Sequence, residues 1–175
     1  MEQAMNVFVA LLRAVNVGGT GKISMGDLKA LCEAAGFEDV ETYIQSGNVV
    51  LRSALPAKKA KAALEAALAK RLGKPVGVLV RTGQELAAAL KANPFPKADP
   101  SRVIVLFLDE PPAKGAVEAI EIPGREELHP VGRELFIHYP DGQGRSKLKV
   151  PMAKDGTGRN LNTVAKLAGM AAARG

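Results

Sequence analysis

Residues 40–53, VETYIQSGNVVLRS, decide the fold that we expect from this sequence. Val40, Thr42 and Ile44 alternate with more polar residues, which is typical of a strand with one buried face. Ser46-Gly47 is a turn signal, and Val49 begins a second apolar run. Strands joined by so short a turn form a hairpin, so the stretch predicts a sheet with antiparallel neighbours.

The segments on either side of the hairpin complete a β-α-β-β-α-β order. Val7–Leu12 is a continuous apolar run that predicts a strand, and Ser24 predicts the N-cap of the helix that follows it. Residues 57–72 are rich in Ala, Lys and Leu, which favour a second helix, and valines at alternate positions from Val76 to Val80 predict a fourth strand. This order is that of the ferredoxin-like plait, in which two helices cover one face of a four-stranded antiparallel sheet.

The second half of the chain follows a similar order. Thr82 and Glu85 predict a capping box for a helix that runs to about Ala92, and the proline-rich residues 93–100 predict a loop. The elements expected after the loop are, in order, a strand at 102–108, a short helix at 111–120, a hairpin around Gly132 and a last helix capped by Thr157. This half therefore reads β-α-β-β-α, without a clear final strand.

We predict an α+β protein with two ferredoxin-like (α/β plait) subdomains, each with an antiparallel sheet. The first subdomain (βαββαβ) covers residues 1–82, a helical connection and Pro-rich linker cover 83–101, and the second α+β subdomain (βαββα) covers 102–175. A plait leaves one sheet face open, and such faces are usually covered by another domain or subunit. We expect Phe8 and Tyr43 to lie on that face and to bury against the second half of the chain or against the partner of a homodimer.

Residues 11–31, LLRAVNVGGTGKISMGDLKAL, resemble a phosphate loop because a glycine-rich turn and a lysine join a strand to a helix. A Walker A loop needs G-x-x-x-x-G-K-[ST], yet Asn16 stands at the first glycine and Ile23 at the hydroxyl position. Antiparallel neighbours after the first helix also disagree with the parallel sheet of those NTPases. Arg13, Lys22 and the helix N-terminus could still bind a phosphate or carboxylate without Mg²⁺. Alternatively, Arg13 pairs with a carboxylate of the fold.

The net charge of +6 is concentrated near the end of the sequence. Residues 145–175 contain seven Lys and Arg against Asp155 alone, whereas the charges of residues 1–144 cancel. Such a field attracts phosphate or nucleic acid, or it belongs to a solvated basic segment that keeps the protein soluble. The sequence has no tryptophan and only seven Phe and Tyr, so an aromatic RNA-binding sheet face is not favoured.

Few groups suited to catalysis are present. Cys32 is the single cysteine and lies on the apolar face of a predicted helix, which excludes an intramolecular disulfide and favours an inert thiol. His129 and His138 have no metal-ligand spacing with it, and Ser146 lacks a G-x-S-x-G elbow that would pair it with His138. We assign no catalytic residue, metal or cofactor. Since neither a signal peptide nor a membrane span is evident, we expect a cytoplasmic protein without a membrane partner.

Four blocks of the sequence, LLRAVNVGG, TYIQSGNVV, GRSKL and TGRNLNTVAKL, closely resemble a bacterial family of unknown function, number 1697. The resemblance runs from about Met5 to Ala168 and implies two ferredoxin-like subdomains, but it implies no activity. Leu161 stands where many relatives carry tryptophan, so a stacking contact there would be missing. The residues that match the family are Arg13, Asn16, Gly18, Gly19 and Lys22, then Tyr43, Gln45, Ser46, Gly47 and Asn48, and finally Ser146, Lys147, Arg159, Asn160, Asn162 and Thr163.

The polar residues of these blocks have two interpretations. The amides either satisfy backbone groups at strand and helix ends, or they form a polar site in which basic residues contact an anion. On the second interpretation the candidate ligand-binding residues are Arg13, Asn16, Lys22, Gln45, Asn48, Lys147, Arg159 and Asn160. The leading hypothesis is then a binding protein for a phosphorylated or acidic ligand in a groove between the subdomains. The alternatives are an enzyme that acts on such a ligand and a nucleic-acid-binding protein that uses the basic C-terminal segment.

Overall fold

A computed structural model describes residues 5–13, 23–43 and 47–175 of the chain. It divides into two compact units, each built on its own antiparallel sheet. The first unit comprises Met1–Leu86 together with Leu167–Gly175, and the second comprises Ala87–Lys166. The division by packing thus differs from the division by sequence pattern, because the last residues of the C-terminal helix pack with the first unit.

The first unit has the ferredoxin-like topology. Its strands are β1 (Asn6–Leu12), β2 (Glu38–Tyr43), β3 (Asn48–Ser53) and β4 (Val78–Thr82), and its helices include α1 (Met25–Ala34) and α2 (Ala57–Leu72). The sheet order is β2-β3-β1-β4, and each neighbouring pair is antiparallel. The predicted α+β plait is confirmed. Because β1 is antiparallel to both of its neighbours, it is not the parallel strand on which a phosphate-loop NTPase depends.

Local signals set the ends of these elements as the sequence predicted. The Ser24 hydroxyl accepts a hydrogen bond from the Asp27 amide at 3.0 Å, which caps α1. Gly73 ends α2 with a φ of 73°, and Gly47, at a φ of 75°, supplies the left-handed residue of the β2–β3 turn. Thr82 and Glu85 form a reciprocal capping box, with bonds of 3.0 and 2.8 Å, at the start of α3 (Gly83–Lys91).

The two helices cover one face of the first sheet with apolar side chains. Phe8, Ala10 and Leu12 of β1 lie in one cluster with Cys32 of α1 and Leu64 of α2, all of them buried. The expectation that Phe8 lies on the open face is therefore wrong. Phe8 shares the face of Ala10 and Leu12 because alternate residues of a strand point the same way, whereas Val9 and Leu11 occupy the other face.

β4 is an edge strand, and α2 protects it. The Val78 amide donates to Glu65 Oε2 at 3.0 Å, and Lys61 Nζ donates to the Val78 carbonyl at 2.5 Å. Lys61 and Glu65 also form an i,i+4 ion pair at 3.0 Å. Both polar backbone groups of Val78 are thereby occupied, which removes part of a template for pairing with another chain.

The second unit repeats the strand order of the first. Its strands are β5 (Val103–Phe107), β6 (Glu127–Val131), β7 (Glu134–His138) and β8 (Thr157–Asn160), arranged β6-β7-β5-β8 with antiparallel neighbours. One face carries a cluster of buried residues that includes Leu106, Leu135, Ile137 and Tyr139. The Gly132 backbone, at a φ of 58°, turns the predicted β6–β7 hairpin.

Two elements of the second unit differ from the βαββα prediction. Residues 114–119 form turns instead of the expected helix at 111–120, because Gly115 takes a left-handed φ of 81° within the segment. Thr157, the expected helix cap, instead begins β8, and Asn160 caps the last helix, α4 (Leu161–Ala172), by accepting from the Thr163 amide at 2.9 Å. β8 is a four-residue strand, TGRN, without an apolar residue, so periodicity does not reveal it.

Arg174, just beyond α4, belongs to the first unit and binds β2 there. Its guanidinium donates to the carbonyls of Asp39 and Met170, each at 3.0 Å, and to Glu41 Oε1 at 2.9 Å. The Arg174 side chain is 10% exposed. Asp39 lies where the β2–β3 register shifts and has a φ of 52°, so Arg174 holds an irregular stretch of an edge strand.

No helix among the described residues has the length and apolar character needed to cross a membrane.

Candidate functional site

The predicted site residues fall into three groups. Asn16, Lys22 and Gln45 lie outside the described residues. Arg13 and Asn48 belong to the first unit, and Lys147, Arg159 and Asn160 belong to the second.

Arg13 and Asn48 lie at the same end of the first sheet, where both have structural contacts. Asn48 is fully buried and its Nδ2 donates to the Tyr43 carbonyl at 3.0 Å, which closes the hairpin. The Arg13 amide donates to the Gly77 carbonyl at 2.9 Å. A methyl group on Gly77 would lie 3.0 Å from Arg13 Cδ, so the arginine side chain covers this glycine. Their role as ligand contacts stays a prediction.

Arg159 and Asn160 also serve the local structure. Arg159 is 8% exposed, and its Nη1 donates to Thr157 Oγ1 at 2.6 Å and to the Gly158 carbonyl at 2.9 Å. Burial lowers the pKa of the guanidinium to about 10. Asn160 caps α4, as described above. Arg159 is too buried to present an exposed cation to an anion in solution, and Asn160 carries no charge. The role of both residues as ligand contacts also stays a prediction.

Lys147 has a different environment, because it lines two adjacent cavities of the second unit. The smaller cavity has a volume of about 190 Å³ and the larger about 660 Å³, and both are bordered by Lys147 and Pro123. The smaller one includes the polar side chains of Glu126, Tyr139, Asp141, Arg145 and Ser146 on its walls. Lys147 forms no hydrogen bond or ion pair with any residue that the structure describes. We call these two cavities the Lys147 site.

The segment from Ser146 to Val150 fixes the positions of the lysines. Leu148 and Val150 pack against the apolar cluster of the second unit, whereas Lys147 and Lys149 are exposed. The backbone is extended at Ser146 and at Val150, and alternate residues of an extended chain point to opposite sides. Leu148 and Val150 are thus partly buried against the core, and Lys147 and Lys149 both line the larger cavity.

Ser146 ties this segment to the wall of the smaller cavity. Its hydroxyl donates to Glu126 Oε2 and accepts from the Leu148 amide at 3.1 Å. The Ser146 bond lowers the pKa of Glu126, and the backbone amides of Glu126 and Gly124 lower it further, so this carboxyl is ionised at neutral pH. Burial raises the pKa of Tyr139, and the Glu126 charge adds to that effect. The hydroxyl of Ser146 is therefore already occupied by structural bonds.

A second carboxylate of the smaller cavity is compensated by an arginine. Arg125 makes two hydrogen bonds to Asp141, one of them from Nε to Oδ2 at 3.3 Å. This pairing lowers the pKa of Asp141, with smaller contributions from the charges of Arg102 and Arg145, and it raises the pKa of Arg125. With Asp141 paired to Arg125, the basic lining residues Arg145, Lys147 and Lys149 face the carboxylates of Glu126 and Glu121, so the Lys147 site carries a small excess of positive charge.

The larger cavity combines these lysines with an apolar wall. Its apolar lining consists of Ala116, Ala119, Ile120, Ile122, Pro123 and Pro151, and Glu121 is its one acidic lining residue. Ile122 is 49% exposed, and it is one of two exposed large hydrophobic residues in the described chain. An exposed isoleucine beside two lysines indicates a surface that is both apolar and cationic.

The serine–histidine pair considered from sequence does not form. His138 points to the opposite face of β7 from Ile137 and Tyr139, and its ring lies 5.5 Å from that of Phe95. Burial raises the pKa of the Cys32 thiol to about 12, with a smaller contribution from Glu33, so Cys32 is an unreactive core residue. Within the described ranges no three His, Cys, Asp or Glu side chains are grouped to hold a metal ion.

Sequence reasoning identified Lys147 but not its surroundings. Glu126 is twenty positions from Ser146, and no local pattern connects them. Ile120 lies at the end of a segment that the sequence predicts to be helical, and Ile122 follows it, so their place on a cavity wall was not foreseen. The alternation of lysine with apolar residues across 147–150 was the one available signal.

These features define an α+β protein of two units, each with a four-stranded antiparallel sheet, in which the second unit carries the two adjacent cavities of the Lys147 site. The chain belongs to the family described as "Protein of unknown function (DUF1697)", whose model matches residues 5–136. Glu126 lies within that match, and Lys147 lies beyond it. No curated protein matches the chain.

A solved structure shows the same fold. It is that of the conserved bacterial protein SP0830 from Streptococcus pneumoniae, which is 28% identical to this chain and superposes with a TM-score of 0.81. The comparison covers 96% of this chain and 99% of the other.

Proposed function

We propose that the protein binds a small phosphorylated or acidic ligand at the Lys147 site. The observation that supports this proposal is the position of Lys147, an exposed ammonium group on the shared border of two cavities and without a partner among the described residues. A positively charged group that faces a cavity attracts anions and raises their local concentration.

The surrounding charges favour an anion over a cation. Arg145 lines the smaller cavity and Lys149 the larger, so a ligand at Lys147 has a further basic residue on either side. Of the three acidic lining residues, Asp141 is paired with Arg125, which leaves Glu126 and Glu121 against three basic residues. Arginine and lysine donate charge-assisted hydrogen bonds to phosphate and carboxylate oxygens.

A titration with inorganic phosphate tests this proposal. Amide resonances of uniformly ¹⁵N-labelled protein should shift saturably at residues 145–149, and Lys147→Glu should weaken the affinity at least about tenfold, which corresponds to about 1.4 kcal/mol. Lys166→Glu is the matched control, because Lys166 is an exposed lysine of α4 that lines neither cavity. Shifts that do not saturate, or equal affinities of the two variants, would refute the proposal.

The same variants separate this function from binding of nucleic acid through the basic segment. Two of its basic residues, Arg159 and Arg174, are largely buried within their units and add little to a surface field. A titration with single-stranded RNA whose affinity falls steeply with salt, and falls equally in Lys147→Glu and Lys166→Glu, would favour nucleic acid over a small ligand.

A further inference from the structure

We infer that the ligand of the Lys147 site is an amphipathic acid, with its acid group at Lys147 and Lys149 and its apolar part on the wall formed by Ile120 and Ile122. This inference rests on the proposed function and names the ligand class. It concerns the larger cavity, whose lining includes both lysines and six apolar or small residues.

The apolar wall is part of the folded structure. Val117 packs against the core of the second unit, and it lies between Ala116 and Ala119, which line the cavity. Backbone bonds hold this turn, from the Ala119 amide to Gly115 at 3.1 Å and from the Ile120 amide to Val117 at 3.1 Å. The wall is therefore positioned before a ligand arrives, so an apolar group that binds there does not have to order the chain first.

The two lysines are spaced to hold one acid group. Residues two apart in an extended chain lie about 7 Å from each other on the same side. Two long ammonium side chains at that spacing can converge on one phosphate or carboxylate. Leu148, between them, is partly buried against the apolar cluster, and this packing helps to hold the pair in place.

The size and lining of the cavity select the ligand class. A volume of about 660 Å³ lies within the range of about 300–1,000 Å³ that is usual for small-molecule sites. Bare phosphate would use the lysines but would leave Ile122 in water. An apolar tail would cover that surface, and its affinity should rise with each CH₂ group that it buries.

A series of alkyl phosphates tests the inference. Inorganic phosphate and butyl, hexyl and octyl phosphate, each below its micelle concentration, would be titrated by calorimetry into the full chain. We expect each added CH₂ group to improve the affinity about twofold to fourfold. The matching alkanoates, from butanoate to octanoate, identify the head group, and the same chain-length dependence in either series supports the inference.

Variants assign the tail to the wall. Ile122→Ser should weaken octyl phosphate about fivefold and leave inorganic phosphate unchanged, and since Ile122 is half exposed the variant should fold. Leu55→Ser is the matched control, because Leu55 is an exposed apolar residue of the first unit, at 36% exposure. It should change neither affinity.

The outcomes distinguish a failure of the amphipathic-ligand inference from a failure of the proposed function. If inorganic phosphate and the alkyl phosphates all bind with the same affinity, and this binding depends on Lys147, the amphipathic ligand is overturned and the proposed function stands. Tail-dependent binding that persists in Lys147→Glu, or that Leu55→Ser reduces equally, would reveal nonspecific adsorption and overturn the inference. Absence of any Lys147-dependent binding would overturn both.

Discussion

Replacing Glu65 with alanine should destabilise the first unit through the backbone of an edge strand. Val78 is fully buried, and its amide donates to Glu65 Oε2 at 3.0 Å. The alanine variant leaves this buried donor without its acceptor. The glutamine variant keeps an acceptor oxygen at the same place and removes only the charge.

The magnitude follows from three contributions. A buried donor that loses its acceptor costs about 1–3 kcal/mol. The ion pair between Lys61 and Glu65, with side chains 28% and 34% exposed, contributes about 0.5 kcal/mol, and alanine returns a few tenths of a kcal/mol in helix propensity. We therefore expect Glu65→Ala to lower the free energy of unfolding by about 2 kcal/mol, and Glu65→Gln by about 0.5 kcal/mol.

Urea unfolding followed by circular dichroism measures both differences, and native-state hydrogen exchange reports the Val78 amide directly. Glu33→Ala, at an exposed position of α1, controls for helix propensity and should be close to neutral. If Glu65→Gln destabilised as much as Glu65→Ala, or if Val78 exchanged at the same rate in both variants, the ion pair would dominate and this reasoning would be wrong.

Two further predictions concern a close approach and a titration. A methyl group at Gly156 would lie 2.4 Å from the Phe107 carbonyl oxygen, so Gly156→Ala should cost about 1–3 kcal/mol in urea unfolding, while Gly144→Ala, with open space around it, should be near neutral. The Cys32 thiol, with a pKa raised to about 12, stays protonated in the folded state after the unfolded chain has begun to ionise near pH 8.5, so its contribution to stability is complete below that pH and is lost as the pH rises toward 12. The stability advantage of the wild type over Cys32→Ala should shrink between pH 7 and pH 10, and a constant difference would contradict the assignment.

The sequence predicted the parts of this fold that depend on neighbouring residues. The hairpin at Gly47, the helix cap at Ser24 and the capping box at Thr82 are set within a few positions, and each lies where its pattern indicated. The prediction for Phe8 was wrong because a continuous apolar run does not reveal which face of the strand meets the helices. The prediction of a helix at 111–120 was wrong because helical composition does not reveal that Gly115 takes a left-handed φ of 81°.

The candidate site was less accessible to sequence reasoning than the fold. Lys147 was named from a family block, but its importance arises from cavities bordered by residues more than twenty positions upstream, such as Ile122. The contact from Ser146 to Glu126 depends on tertiary packing. For Asn48 and Asn160 the sequence left a structural and a ligand-binding interpretation open. Their amides make structural hydrogen bonds, in a hairpin and in a helix cap respectively.

The hydrogen bonds from Arg174 to β2 have a consequence for the order in which the first unit is assembled. The first unit is assembled from two stretches of sequence, and the second unit is encoded between them. A ribosome must therefore translate the whole second unit before Asp39 and Glu41 can meet their arginine. Until then, β2 of a nascent first unit lacks the contacts that Arg174 supplies.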